Sequence, residues 1–414
     1  MSAIDPTRPF DRAQSAAQRD LVPLMTFACG VIGMNLSAPQ PLVGVIAPAL
    51  GLDLGASGLV TMATFLGYGL GMLFLVPLTD LVENRRLVLR MLAANAASLL
   101  VSALAPSAIV YLLAAVAVGA TTATIQMLVP MVAALAPESR RGRVVGNVMS
   151  GVMVGIMLAR PLASLGERTF GWRGVFALSA LMIAALLPVL RRALPTLRPA
   201  AGLRYGALVR SLWPLVREER VLRRRTLSAI LSFGAFNAFW TVVALRLAQP
   251  PFDFDQRGIA AFALAGVGGI VSAPVAGRLG DGGHTRTASV AMHLLIIAAM
   301  LLAGVAGGGF GFAVPHAPAL GIVLLIAASL LLDLGVVGDQ TLGRRAVNVI
   351  RPEARGRLNG LYTGGFFVGG ACASAAAGAA WSLGGWDLTC AFGAALGLAA
   401  LAVSLGDLRR RDGA

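Results

Sequence analysis

Long apolar stretches alternate with short polar segments along almost all of the 414 residues of this chain. Twelve of the stretches are long enough, or nearly so, to cross a hydrocarbon core about 30 Å thick as helices. They cover residues 21–50, 57–79, 87–105, 108–135, 144–165, 174–190, 227–248, 258–277, 287–306, 317–338, 358–382 and 388–406. Such unbroken runs favour helices over a barrel of strands. The pattern therefore predicts an all-α membrane protein with twelve transmembrane helices.

The longest polar segment lies in the middle of the chain and separates six predicted helices from the other six. We predict an N-terminal six-helix bundle over 1–190, an interdomain loop on the cytoplasmic side over 191–226, and a C-terminal six-helix bundle over 227–414. Within the loop, Leu208 and Leu215 belong to an apolar series at helical spacing. This spacing predicts an amphipathic helix that lies on the inner face of the membrane.

A twofold repeat links the two predicted bundles, because a series of glycines and arginines returns with every pair 214 positions apart. The first copy is Arg141-Gly142-Arg143, Gly146, Gly151, Gly155 and Gly171-Trp172, and the second is Arg355-Gly356-Arg357, Gly360, Gly365, Gly369 and Gly385-Trp386. A repeat over half of an apolar chain indicates two pseudo-symmetric bundles, with a site for a small molecule at their interface near the middle of the bilayer.

Composition supports the membrane interpretation. Hydrophobic residues make up 57% of the chain and charged residues only 13%, which is too few polar side chains to cover a soluble globule of this size. All 34 positive residues are arginine, and 29 of them lie on the cytoplasmic side if the N-terminus is cytoplasmic. This asymmetry predicts that both termini are cytoplasmic in a bacterial inner membrane, and it explains the net charge of +15 without nucleic acid.

Two loops between predicted helices carry similar charged residues. In the loop after helix two, Asp80 stands where a helix ends at the cytoplasmic surface, and Arg85 and Arg86 follow as its expected counter-charges. The equivalent loop of the second half carries Asp281. The loops that lead into helices five and eleven supply further arginines, which include Arg141 and Arg355. A merely solvated turn is the alternative interpretation of each loop.

These loops and the repeated glycines resemble the major facilitator superfamily over essentially the whole chain, and in particular its drug-efflux branch. The resemblance implies two six-helix bundles that work by alternating access. It also implies a conformational latch, for which the matching residues are Asp80, Arg85, Arg86, Asp281, Arg141 and Arg355. The chain departs from the drug:proton antiporters of the family, because Ile156 follows Gly155 where they carry proline, and Ala115 stands where many carry arginine. Antiport is therefore the part of the resemblance that stays open.

Asp333, in the tenth predicted helix, is the only carboxylate that we place well inside a span. Ionisable residues are costly in hydrocarbon unless paired or facing water, so we take Asp333 as the candidate for proton coupling. A structural aspartate bonded to a neighbouring helix is the alternative. We assign Asp339 to a loop network with Arg344 and Arg345. For His293, we favour a structural role over a proton relay.

Six other polar or amphipathic residues inside spans are candidates for substrate binding: Asn35, Gln40, Gln126, Arg160, Asn237 and Trp240. Helices one, four, seven and ten line the central cavity in the superfamily, so the resemblance implies that all of these except Arg160 face the substrate. Arg160 lies about 24 Å along helix five and can bind an anionic group, pair with Glu167, or extend to the outer interface. For each amide, a hydrogen bond between helices is the alternative. Pro39 and Pro41 should bend helix one beside Gln40.

The sequence thus predicts a secondary transporter whose expected cargo is a small, partly apolar organic compound such as a drug, or a sugar-like or siderophore-like metabolite. We expect export, with protons as the candidate coupling ion, by a monomer surrounded by lipid and without nucleic acid, metal or cofactor. The alternatives are a uniporter or importer of the same fold and a membrane sensor derived from a transporter. An enzyme is not expected, because no span has the spacing of a metal site or of a nucleophile with its base.

Overall fold

The structure is a computed structural model that describes residues 9–196, 205–264, 285–312, 318–351 and 354–408, without the side chains of 9–20, Ser139 and 407–408. Its helices are α1 (Pro9–Ser37), α2 (Val43–Ala49), α3 (Leu59–Leu70), α4 (Asn84–Leu104), α5 (Ala108–Thr122), α6 (Ile125–Leu135), α7 (Arg141–Ala193), α8 (Tyr205–Arg210), α9 (Leu212–Glu218), α10 (Arg220–Leu247), α11 (Gln256–Ala263), α12 (Thr285–Ala306), α13 (Pro318–Asn348) and α14 (Arg355–Leu408).

The predicted spans agree with these helices. Within the described residues, nine helical segments are long and apolar enough to cross a membrane, and they include α7 and most of α14. Both of these long helices are divided by a break, at Gly171 in α7 and at Gly384 and Gly385 in α14. Each therefore supplies two of the predicted spans. Of the eighth predicted span, the structure describes only the beginning, in α11.

The breaks in α7 and α14 explain one pair of the sequence repeat. Gly171 and Gly385 have φ angles of 68° and 59°, in the region that glycine enters without a steric penalty. The tryptophan after each glycine is buried: Trp172 packs against Tyr111, and Trp386 donates its indole N–H to the carbonyl oxygen of Ala303 at 2.8 Å. Each Gly-Trp pair therefore turns the chain between two spans and anchors the turn in its own half.

The predicted bend in the first span is confirmed. α1 ends at Ser37, a short 3₁₀ helix covers Gln40–Leu42, and α2 begins at Val43. Pro39 and Pro41 lack the amide hydrogens that a continuous α-helix would use. As a result, Gln40 lies within an irregular turn inside the span.

Two large buried clusters and a small third one form the cores of the described part of the molecule. The two large clusters belong mainly to different halves. One is drawn entirely from residues 21–194, and the other mainly from residues 215–394. The second cluster also takes in side chains of the first half, among them Phe65, Tyr68 and Met72, so the halves are in contact. On the outside, Leu104, Ile109 and Leu383 are at least 70% exposed, which suits a surface that faces lipid.

Four glycines of the repeat lie in close helix contacts: Gly151, Gly155, Gly365 and Gly369. A Cβ on Gly155 would meet the carbonyl oxygen of Gly30 at 2.1 Å, within the first half. Gly364 of α14, beside the repeat, lies between the halves, against Leu73 and Gly69. The glycines of helix five therefore hold α1 and α7 together, because only glycine permits this backbone approach.

The segment between the halves contains two short helices, α8 and α9, which confirms helical structure in this region. Leu208 and Leu215 are buried, whereas Trp213 on the same segment is 69% exposed. After α9, Glu219 pairs with Arg351, whose Nε lies 2.6 Å from a carboxylate oxygen of Glu219. The segment is thereby bonded to the second half.

The three cysteines differ in burial. Cys29 and Cys390 are buried, but Cys372 is exposed. Its position on α14 points away from the core, so burial is not the reason for its presence there.

Candidate functional site

The centre of the interface between the halves holds a hydrogen-bonded network that begins in the first half. The Nε of Arg160, on α7, donates to Oε1 of Gln40 at 2.7 Å. Arg160 is only 4% exposed, so it neither extends to the membrane surface nor relies on Glu167 at the end of the span. Gln40 is fully buried and its amide Nε2 reaches Oδ1 of Asn237 at 3.5 Å, across to α10 of the second half.

The second half contributes an aromatic ring and a carboxylate to the same network. The guanidinium carbon of Arg160 lies 4.1 Å from the centre of the Trp240 ring, a cation–π contact. The indole Nε1 of Trp240 donates to Oδ1 of Asp333 at 3.1 Å, and Asp333 is 3% exposed. The indole of Trp240 therefore links the positive charge of the first half to the negative charge of α13.

The network is closed in this structure. The space beside Arg160, Trp240 and Pro41 measures about 10 Å³. A cavity of that size holds at most one water molecule. A small organic compound can therefore reach these polar groups only if the halves separate.

The network offers hydrogen-bond donors, hydrogen-bond acceptors and both signs of charge to a neutral or charged organic compound. Its five residues are Gln40, Arg160, Asn237, Trp240 and Asp333. The amides and the indole supply hydrogen-bond donors, and the carboxylate and amide oxygens supply acceptors. The ring face of Trp240 supplies an apolar surface. All these groups now bond to one another, so a ligand must replace bonds that hold the halves together.

Two of the six substrate-binding candidates lie outside this network. Asn35 is buried and its amide nitrogen approaches Oδ1 of Asn95 at 3.3 Å, while Asn95 itself donates to Thr121 and Thr122. This network lies inside the first half, where a hydrogen bond between helices was the alternative. Gln126 donates to the hydroxyl of Tyr68 at 3.1 Å, close to the interface but not in contact with Arg160.

Asp333 is not the only deep carboxylate, which corrects our expectation. Asp339 is 1% exposed, and α13 includes it together with Arg344 and Arg345, so these residues do not lie in a loop. It pairs with His293, whose Nε2 lies 3.2 Å from Oδ1 of Asp339, within the second half. Burial of Asp339 depends on a partner from α12 that is distant in sequence, so no local pattern indicated it.

The structure keeps the latch candidates apart. Arg85 donates to the backbone oxygen of Arg191, and Arg86 pairs with Glu83 at 3.3 Å. Within the described part of the chain, the exposed Asp80 has no hydrogen-bonding or ionic partner. Arg141 and Arg355 donate to the backbone of their own halves, at Ala133 and Asn348. Asp281 lies outside the described residues.

We call the side of the molecule that carries Arg85, Arg141 and Arg351 the arginine-rich end. From the central network, close contacts between the halves continue toward the opposite end. At the opposite end, the carbonyl oxygen of Ser374 lies 2.0 Å from the position that a Cβ on Gly58 would take. There, too, Nη1 of Arg168 lies 3.3 Å from Oδ2 of Asp255. The molecule is therefore closed at the end opposite the arginine-rich end.

The charge of Asp255 depends on its position before α11. Its Oδ1 accepts from the backbone N–H of Gly258 and Arg257, both at 3.0 Å. The hydrogen bond from Gly258, followed by that from Arg257 and the charge of Arg168, lowers the pKa of Asp255. A lowered pKa means that the contact is present above the usual pKa and is lost as pH falls through the lowered value.

We expect Asp255→Asn to shift the population away from the closed state at this end. Asparagine still caps α11, but it cannot attract Arg168 by charge. With spin labels at Leu54 and Phe312, one in each half, the distribution of label-to-label distances should shift to longer values in this variant. Acidification should cause the same shift in the unmutated protein. Asp53→Asn is the control, because Asp53 caps the backbone of Ala56 in its own half. Identical distance distributions for Asp255→Asn and Asp53→Asn would contradict the closing role.

Sequence reasoning missed the aromatic residues around the network. Phe236 stacks on Phe233 at 5.5 Å and lies 5.4 Å from the guanidinium carbon of Arg160. Phe65 makes an edge contact across the interface with Phe233, which in turn makes an edge contact with Phe367 in its own half. The sequence did contain a signal for these residues. Aromatic residues recur three or four positions apart on α10, and this spacing marks one face of the helix.

Three comparisons place the chain among known proteins. The sequence profile described as Major Facilitator Superfamily matches residues 25–342. The Putative uncharacterized transporter YgaY of Escherichia coli (strain K12) is 34% identical over 397 residues, which cover 95% of this chain and 97% of that protein. The Probable sugar efflux transporter of Pasteurella multocida (strain Pm70) is 26% identical over 292 residues, 70% of this chain and 71% of that protein. The crystal structure of the nucleoside transporter NupG has a TM-score of 0.70 at 13% identity, covering 94% of this chain and 99% of NupG.

Proposed function

Since the chain belongs to the major facilitator superfamily and has its twelve-helix fold, we propose that it exports a small hydroxylated organic compound, such as a sugar, by alternating access. The central network is the observation that carries this proposal. Gln40 and Arg160 of one half bond to Asn237 and Trp240 of the other, in a site that is closed at present. A compound that takes over these bonds would release the halves from each other.

The chemistry of the network favours a sugar-like compound. The face of the Trp240 ring, now covered by Arg160, suits the apolar face of a sugar ring. The amides of Gln40 and Asn237 and the carboxylate of Asp333 suit its hydroxyl groups. The name of the Pasteurella multocida relative, a probable sugar efflux transporter, supports the same substrate class. The departures from the antiporter pattern at Ile156 and Ala115 do not support the drug-efflux branch.

Asp333 is the group that we assign to proton coupling. It lies at the end of the chain of contacts that runs from Arg160 through Trp240. Protonation of Asp333 would remove the negative charge that faces Arg160, and substrate would then compete for the same groups. Binding of a proton and binding of substrate are thereby linked in one site.

We further propose that the arginine-rich end is cytoplasmic, in a bacterial inner membrane. The excess of arginine at that end follows the positive-inside rule. The closed end would then face outward, and the site would open toward the cytoplasm, where an exporter loads its substrate. The separate latch residues Asp80, Arg141 and Arg355 would come together when the arginine-rich end closes.

The test is a substrate screen with purified protein in sealed vesicles, with and without an imposed proton gradient. We expect counterflow of a labelled sugar, and its loss in Gln40→Leu. Gln249→Leu is the matched control, since Gln249 is an exposed amide outside the network. Net transport that is the same with and without the imposed proton gradient would favour a uniporter. Absence of flux for sugars, drugs and siderophores alike would favour the sensor and contradict the proposal.

A further inference from the structure

A second group of buried polar side chains lies inside the second half, apart from the central network. Its centre is the pair His293 on α12 and Asp339 on α13, with Nε2 and Oδ1 3.2 Å apart. His293 is 0% exposed and Asp339 is 1% exposed. Two such groups are not buried without partners, since an unpaired charge in this environment is strongly destabilising.

Three serine hydroxyls complete the group. On α10, Ser228 lies 3.2 Å from both oxygens of Asp339 and 3.0 Å from Nε2 of His293, and Ser232 donates to Oδ2 at 2.8 Å. On α14, Ser404 lies 3.2 Å from Nδ1 of His293. Both ring nitrogens and both carboxylate oxygens therefore have a partner, and the partners come from four helices.

The hydroxyls let the group satisfy its hydrogen bonds with the imidazole neutral or charged. When His293 is neutral and carries its proton on Nε2, it donates to Asp339, and Ser404 can donate to Nδ1. When Nδ1 is also protonated, it donates to Ser404, whose hydroxyl then accepts. A hydroxyl can exchange the two roles by rotation, so neither form leaves a buried group unbonded.

Several other groups face the pair from the surrounding helices. From α10, the half-buried Arg225 acts on Asp339 by its charge and donates to Ser289, one turn from His293, at 2.7 Å. From α14, Tyr362 donates its hydroxyl to the backbone oxygen of Gln340 beside Asp339. Arg225 and Ser289 lie between the pair and the arginine-rich end, where α10 begins beside Arg351. The charge of Arg225 can also compensate Asp339 when His293 is neutral.

The pair is distinct from the central network. Asp333 and Asp339 are both on α13, six positions apart, which is about 9 Å along the axis at 1.5 Å per residue. At 3.6 residues per turn, the two carboxylates also lie on different faces of α13. One face carries Asp333 to the interface between halves, and another carries Asp339 into the second bundle.

A hydrolytic triad does not fit this arrangement. Ser228 and Asp339 both approach Nε2 of His293, whereas a triad needs the serine and the carboxylate on opposite ring nitrogens.

We propose that His293 and Asp339 form a proton-binding site of the second bundle, which is separate from Asp333 and is loaded from the arginine-rich end past Arg225 and Ser289. A proton from water at that end forms the N–H bond at Nδ1 of His293, and the same bond breaks on release. This site goes beyond the proposed function, and its test needs no transport.

The test is the protonation state of His293 in the folded protein. The chain has three histidines, so a variant with His284→Gln and His316→Gln leaves His293 as the single ¹⁵N-histidine signal in labelled protein in lipid nanodiscs. We expect its two ring nitrogen resonances to change together from imidazole to imidazolium positions when the sample is acidified. Resonances that stay constant over the pH range in which the protein remains folded would mean a fixed structural pair and would overturn the proposal.

Variants and ions distinguish a proton site from a site for a metal cation. Asp339→Asn is expected to change the pH dependence of both resonances, because an opposite charge in contact with the ring is lost. If that variant does not fold, Arg225→Gln is expected to change the pH dependence in the opposite direction. Asp333→Asn should leave the pH dependence unchanged. A shift of the resonances when Na⁺ replaces K⁺ at constant pH would assign the cluster to a metal cation instead and overturn the proposal.

Discussion

In sealed vesicles, Asp333→Asn is expected to abolish substrate accumulation driven by a proton gradient, while exchange of substrate down its own gradient continues. The asparagine oxygen can still accept the 3.1 Å hydrogen bond from Trp240, so the packing of α13 is retained. The variant loses the ability to bind a proton at this position, which is connected to Arg160 through the indole ring of Trp240. The measurement is initial accumulation with an imposed gradient, compared with counterflow without one.

Asp387→Asn is the matched control for this result, because it makes the same change at an exposed carboxylate near the break of α14. A structural role for Asp333 predicts a different outcome. In that case the variant would unfold at a lower temperature, and accumulation and exchange would decline in proportion. Undiminished accumulation would remove Asp333 from the coupling mechanism.

A valine at Gly58 is expected to prevent closure of the end opposite the arginine-rich end. The first atom of the new side chain would lie 2.0 Å from the backbone oxygen of Ser374, in the other half of the molecule. Gly58 has φ −64°, so valine does not strain its backbone. Overpacking of such a contact costs roughly 1–3 kcal/mol, and we therefore expect transport to fall by about tenfold or more. Spin labels at Leu54 and Phe312 should report longer distances.

Two other glycines supply the controls for Gly58→Val. Gly146→Val introduces the same side chain where no atom lies within 4 Å, and it should change neither transport nor the distances. Gly119→Val brings a Cβ to 1.9 Å from the backbone oxygen of Thr64 within the first half. It should lower thermal stability without a shift between open and closed distances. Normal transport by Gly58→Val would contradict the need for this contact.

Much of the candidate site followed from the chemistry of single residues. Polar groups in a span need partners or a function, and this reasoning selected five residues that the structure brings together. They are Gln40, Arg160, Asn237, Trp240 and Asp333. The same reasoning placed Asn35 and Gln126 among them. Their partners, Asn95 and Tyr68, lie on helices whose rotation about their axes cannot be read from the pattern of apolar and polar residues. A buried amide has the same sequence signal whether it faces a neighbouring helix or a ligand.

The pair His293 and Asp339 shows a second limit. Each residue alone is a lone polar group at the edge of an apolar run. Only the packing of α12 against α13 brings Nε2 and Oδ1 within 3.2 Å and removes both from solvent. The glycines of helix five show the same limit for packing, because spacing indicates close approach but not the partner helix.

The sequence by itself determined the membrane-spanning helices, the two related halves, the repeat that contains Gly171 and Gly385, and the identity of the central polar residues. These properties depend on hydrophobicity, local backbone preference and the presence of polar groups, all of which can be read directly from the sequence. The tertiary structure alone decided that Arg160 bonds to Gln40, that Asp339 is buried, and that the end near Gly58 is closed. These depend on which helices meet, and at which rotation about their axes, because the same residue can face lipid, a neighbouring helix or the other half.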